Sequence, residues 1–246
     1  MRRILIASAI FAGISASATA AVPGANIKVA GDVKPPTCKV NGGAQADLVY
    51  NLGGVSPALI PEDNAGYNGL PSVSNALNVV CDAATYLTFK ATDTYSNAFV
   101  QAPGSAYQLK NYVFSLVDAS ATGKAVGGVT YQFNNITADS RPVYISRAND
   151  GDYPDDGSSW FPESRIMKGA TSGWTKTQQR NVARDNLDLI PAKIFTINIY
   201  VYNVGIMNGY ADTYLLPKSV LKKQGIDLTK PVNFTGNVLM TFNFGI

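Results

Sequence analysis

Taken two residues at a time, the stretch TGNVLMTFNFGI at the end of the chain sorts into two faces. Val238, Met240, Phe242 and Phe244 fall on one side, and Leu239, Thr241 and Asn243 on the other. That is the period of a half-buried β-strand. The same period recurs along the chain. Ile27, Val29, Gly31 and Val33 alternate with Lys28, Ala30 and Asp32 until the Pro35-Pro36 break, which predicts a strand over 27–33. TCKV (37–40) predicts a short one. Leu77, Val79 and Cys81, then Leu87 and Phe89, predict two strands with a bend at 82–84. YVFSLVDA (112–119) and GGVTYQF (127–133) read as a hairpin pair, and RPVYISR (141–147) as a shorter strand. The clearest interior strand lies in KIFTINIYVYNVGIM, where Phe195, Ile197, Ile199 and Val201 line one face.

Between these runs, residues 51–75 are rich in Gly, Pro, Asn and Ser and read as a long loop. Residues 148–186 hold turn formers, polar groups and two Trp, and read as a long surface excursion. Only PKSVLKKQGID (217–227) has helical character, stopped by Gly225. Many short strands, turn-rich spacers and little helix predict an all-β sandwich. Thirteen Tyr among 246 residues agree with that.

The first twenty residues are a separate object. A basic MRR head, an apolar stretch and the small-x-small site at Ala18–Ala20 read as a secretory signal peptide. Its removal takes Arg2 and Arg3 with it, and the formal charge falls from 20 − 17 = +3 to 18 − 17 = +1. A near-neutral protein offers no electrostatic case for nucleic acid or an anionic membrane. The two cysteines, Cys38 and Cys81, lie in the exported part. An even count in an oxidising compartment predicts one disulfide. Closing a loop of about 43 residues is worth roughly 4 kcal/mol in the chain-entropy model.

Chemistry finds little footing. With no histidine in the chain, Ser-His-Asp and Cys-His arrangements are absent. No phosphate-cradling glycine motif occurs. In the loop 152–163, Asp152, Asp156, Gly157 and Glu163 fit the calcium-loop spacing. Pro154 stands where a ligand is needed, so a solvated loop is expected and no metal or cofactor. Asp155 with Glu163 would be the carboxylate pair of a secreted carbohydrate-active enzyme, but nothing in the sequence fixes their separation. Trp160 and Trp174 read as capping a secondary core, with stacking on sugars as the alternative.

The terminal strand carries more. It holds no Lys or Pro to blunt an edge, and an open edge this apolar is an aggregation hazard. Something is expected to cover it. Here the chain resembles a known family, the chaperone–usher fimbrial subunits, or pilins. The resemblance rests on VAGDVKPPTCKV, with its first cysteine seven residues after Gly31, on NVVCDAATYLTFKATD around the second cysteine, and on TGNVLMTFNFGI. YVFSLVDASATGKAV is further similar to a subgroup called beta-fimbria major subunits. These segments cover about a quarter of the chain.

The resemblance implies an incomplete immunoglobulin-like sandwich that lacks its last strand, over one domain spanning 34–246 with an insertion near 148–186. Val238, Met240, Phe242 and Phe244 would line a groove and form the chaperone-binding strand. A periplasmic chaperone would fill that groove first, and the N-terminal extension of a neighbouring fimbrial subunit would replace it at the outer-membrane usher. The donor segment would lie in 21–33, with Val22, Ile27 and Val29 inserting, although Pro23 removes a ladder donor and the extension is short. The expected role is structural, in a surface fimbria that supports adhesion, with no enzymatic step. The alternative is a tip or secreted adhesin that binds host glycans through 148–186. In a bacterial periplasm the sequons at Asn135 and Asn233 would be idle.

Overall fold

The computed structural model describes residues 27–32, 34–64, 66–104, 109–152, 164–203 and 212–244. The expected leader, Val22, Asp155, Asp156, Gly157, Trp160 and Glu163 lie outside these residues. The chain divides into two units, Met1–Lys34 and Pro35–Ile246. In the first, residues 27–32 carry no strand, contrary to the alternation that predicts one. Alternation alone makes no strand, because the backbone also needs a ladder partner. Ile27 and Val29 are 93% and 95% exposed.

The second unit holds, among its described residues, twelve strands and one short helix. They run β1 (Cys38–Val40), β2 (Ser74–Thr85), β3 (Leu87–Asp93), β4 (Val113–Asp118), β5 (Ala121–Ala138), β6 (Arg141–Pro142), β7 (Tyr144–Arg147), β8 (Ser172–Thr175), β9 (Ala192–Val201), β10 (Tyr214–Leu215), α1 (Lys218–Lys223), β11 (Phe234–Thr235) and β12 (Val238–Phe244). The larger sheet has the order β1-β2-β9-β5-β4-β11, with β10 and β6 also paired to β5. The smaller has the order β12-β3-β8-β7. All named strand pairs are antiparallel. The fold is an all-β sandwich.

The period-two patterns decide which residues form the core. Leu77, Val79 and Cys81 of β2 are buried, as are Phe195, Ile197, Ile199 and Val201 of β9. From the smaller sheet, Leu87, Phe89 and Ala91 are buried. The disulfide joins Cys38 to Cys81, directly opposite each other in the β1–β2 pair. Strand β5 is longer than the pattern suggests and serves two neighbours. Its first part pairs with β4 and its second with β9, with register shifts in both ladders. At Gly127 any Cβ would meet the Tyr214 carbonyl, so glycine is what lets β10 lie against β5. Helix α1 buries Leu221 and ends at Gly225, whose φ of +72° suits glycine. Among the described residues no helix is long and apolar enough to cross a membrane.

The expected excursion over 148–186 does not hold for residues 164–175. Ile166, Met167, Ala170 and Trp174 are buried there, and β8 is an inner strand of the smaller sheet. Trp174 is fully buried between the two sheets, edge-on to Phe89 at 5.8 Å and to Phe195 at 5.3 Å between ring centroids. It belongs to the main core and presents no face to a sugar. The sequence hides this because the strand's other residues, Ser172, Gly173 and Thr175, look like surface. The Thr175 hydroxyl is satisfied internally: it bonds the Ser146 hydroxyl at 2.6 Å and donates to the Thr177 carbonyl, while Gln179 donates its backbone N–H to Ser146.

Two outcomes follow from this packing. Trp174→Ala should lower stability by about 3–5 kcal/mol, the usual cost of emptying a buried tryptophan site, read from chemical denaturation. The second concerns Asp150, which accepts the backbone N–H and the hydroxyl of Thr171 at 2.8 and 2.7 Å and faces Lys90 of β3 at 3.1 Å. Burial pushes its carboxyl up, but the Thr171 bonds and Lys90 outweigh that and hold it below the ordinary range. A depressed carboxyl contributes stability that is present above its ordinary value and lost as the pH falls through its lowered one. Thr171→Val should therefore cost about 1.5–3 kcal/mol at neutral pH. That difference should shrink in strong acid, measured by denaturation across the acid range.

Candidate strand-binding groove

Strand β12 borders the smaller sheet and pairs on one side only, with β3, from Val238 opposite Asp93 to Phe244 opposite Leu87. Among the described residues no strand pairs with its other side. The sense of the ladder fixes which groups face outward. Thr94 donates to the Asn237 carbonyl at 3.0 Å. Antiparallel pairs alternate between bonded and non-bonded, so Leu239, Thr241 and Asn243 bond to β3. Val238, Met240, Phe242 and Phe244 turn both their N–H and their C=O to the open side.

The same four residues carry the strand's apolar face. Val238, Met240 and Phe242 are half-buried, while Leu239, Thr241 and Asn243 are exposed on the other face. Phe244 lines the groove too but is 41% exposed, at the less covered end. Side chains that point toward the core thus sit on residues whose backbone is unpaired.

Beside this edge lies an apolar groove of about 1130 Å³. Val238, Met240 and Phe242 form one wall. Leu77, Val129 and Ile199 of the larger sheet lie at its floor. The opposite wall is the segment 44–55, including Leu48, Tyr50 and Leu52. Residues 46–56 of that segment join no strand. Side chains hold the wall in place instead. Tyr50 donates its hydroxyl to the Ile199 carbonyl at 3.2 Å, and Asn75 donates to the Val49 carbonyl at 2.9 Å. The Tyr50 ring meets Tyr131 edge-on at 5.4 Å. Burial pushes both phenols up, Tyr131 to about 12, so neither ionises at physiological pH. Leu221, Ile226 and Leu228 close in around α1.

Val238, Met240, Phe242 and Phe244 all line this groove, in phase along one face of β12. The opposite wall is absent from the sequence reading. Its signal was present, since Leu48, Tyr50 and Leu52 alternate with Val49 and Asn51, and Val49 is 75% exposed. The candidate donor residues are a different matter. Val22 lies outside the described residues. Five positions separate it from Ile27, so on a continuous strand it falls on the face opposite Ile27 and Val29. Only the latter two share a face.

The charged side chains among the groove's lining residues are Asp47 and Lys230. Its lining is mostly apolar, and among the described residues no cluster of acidic or sulfur side chains suits a metal ion. The chain matches no protein-family model and no curated protein.

An accessible apolar slot should bind an environment-sensitive apolar dye. Met240→Lys and Phe242→Lys, which place a charge inside it, should each lower that fluorescence. Thr241→Lys, on the outer face of the same strand, should leave it unchanged.

Proposed function

We propose that this protein is a structural subunit of a bacterial surface fimbria, assembled by donor-strand exchange. A periplasmic chaperone inserts a strand beside β12 first, and the N-terminal extension of a neighbouring subunit replaces it at the outer-membrane usher. The observation that carries this reading is the coincidence on β12 of an unpaired backbone and an inward apolar face, beside a groove of about 1130 Å³. β-strand addition uses both features at once: main-chain bonds hold the incoming strand, and its alternate side chains fill the slot. Its own donor segment would present Ile27 and Val29, both exposed and two residues apart, to the groove of the next copy. Exported through its leader, the subunit would reach the cell surface as part of the fibre and support adhesion there.

Filling one inward position with a large aliphatic or aromatic side chain is worth about 1.5–3 kcal/mol. Co-expression with the periplasmic chaperone should yield a soluble complex, while the chain produced without it should aggregate through the open edge. Phe242→Lys should weaken the complex by about tenfold to a hundredfold. A soluble monomer made without any chaperone, with the amides of Met240 and Phe242 already protected from hydrogen exchange, would overturn the reading.

A further inference from the structure

Asp93 ends β3 at an inward position, in phase with Leu87, Phe89 and Ala91. A carboxylate there must find partners inside the protein. It accepts the backbone N–H of Tyr95 on Oδ1 at 3.0 Å, and the backbone N–H and hydroxyl of Ser115 on Oδ2, both at 3.0 Å. Ser115 belongs to β4, so this carboxylate joins the two sheets. The fourth partner is Lys168, whose Nζ lies 2.7 Å from Oδ2. The two side chains are 4% and 1% exposed. The rings of Phe99 and Phe114 lie 5.0 and 5.3 Å from Nζ and screen the pair from water.

The backbone of Lys168 is fixed as firmly as its side chain. Its N–H donates to Asn111, its carbonyl accepts from Asp152, and Gly169 donates to Ala91 of β3. The ammonium and the carboxylate are thus held together by the fold. Burial pulls the Lys168 ammonium below its ordinary value, against the opposing pull of Asp93 and Asp152. A cavity of about 340 Å³ flanks the pair, lined also by Asp152 and Lys110.

We propose that Lys168 and Asp93 condense to an intramolecular amide, a covalent link between two residues 75 positions apart. The ammonium gives a proton to the carboxylate. The freed amine forms a nitrogen–carbon bond to Cγ of Asp93. One carbon–oxygen bond then breaks, and that oxygen departs with two protons as water into the flanking cavity. Ammonium plus carboxylate becomes amide plus water, with no net charge change, no oxidant and no cofactor. The two Ser115 donors on Oδ2 stabilise the oxygen that gains charge when the nitrogen adds. Asp152, which lines the same cavity, would relay the proton from nitrogen to the leaving oxygen. Holding both reactants in a fixed geometry replaces the encounter that two free groups in water would need. Because Asp93 lies opposite Val238, the link would anchor the sheet whose outer strand borders the groove.

The test is the intact mass of the full mature chain in its natural assembly or chaperone complex, denatured just before measurement. The expected mass is lower than the disulfide-bonded sequence by one water, and digestion should release a branched peptide joining residues 93 and 168. Lys168→Arg and Asp93→Ala should each restore the missing water. A wild-type chain at full mass, with the two residues in separate peptides, overturns the proposal. That outcome is decisive whether or not either variant folds.

Discussion

The structure turns on a strand that is paired on one side and apolar on its inner face. A β-sandwich closes its core by covering every inward side chain and pairing every edge it buries. In β9, in the middle of the larger sheet, both conditions are met and Phe195, Ile197 and Ile199 are essentially inaccessible. In β12 neither is met. Its inward residues reach only half-burial, and its outer backbone groups have no strand beside them among the described residues. The edge is nonetheless no frayed end, because it is tied into the centre. Phe242 packs on Phe89 at 6.2 Å, Phe89 on Trp174, and Trp174 on Phe195. A column of aromatic rings thus runs from the groove wall through the smaller sheet to the larger one. Whatever fills the groove presses on the first ring of that column.

One buried polar contact joins the sheets, and a second buried pair lies against β5 of the larger one. Asp93 accepts Ser115 of β4 and Lys168, and Arg165 pairs with Asp212 at 2.8 Å beneath the Tyr112 ring. Buried pairs of this kind contribute little net stability against an apolar alternative, but removing one partner leaves a bare charge inside. Burial raises the Asp212 carboxyl even with Arg165 beside it, which shows how costly that site is for a charge.

Alternation made most of the frame legible. β9, α1 and β12 fall where the pattern puts them, because each has one face turned inward and one toward water. β3 and β4 are found too, though β4 is buried on both faces, and β2 runs through the bend expected at 82–84 as far as Thr85. The failures have physical reasons. The alternation over 27–32 is strong, yet the segment carries no strand, because a side-chain pattern supplies no ladder partner. β8 escaped notice because it is buried on all sides and uses Ser, Gly and Thr that bond within the protein, which imitates a surface loop. The wall at 44–55 has the right period but stands beside no ladder, so a strand pattern marks an unpaired segment. Asp93 offered the subtlest signal, a lone charge in an otherwise apolar phase. Such a residue announces a buried partner, but no rule of spacing leads from it to Lys168.

The groove's two walls also bear on what kind of occupant suits it. A small apolar ligand would bury Met240 and Phe242 but leave the outward N–H and C=O groups of β12 unmet, and an unsatisfied buried polar group costs about 1–3 kcal/mol. Those groups recur on every second residue, at Val238, Met240, Phe242 and Phe244, a repeat of roughly 6.8 Å along the strand. Another extended backbone has the same repeat, and its own side chains alternate into the slot in step with its hydrogen bonds. On the far side, residues 46–56 offer a second stretch of backbone outside any ladder. Apolar volume alone would favour many guests; the spacing of the unpaired backbone favours a polypeptide.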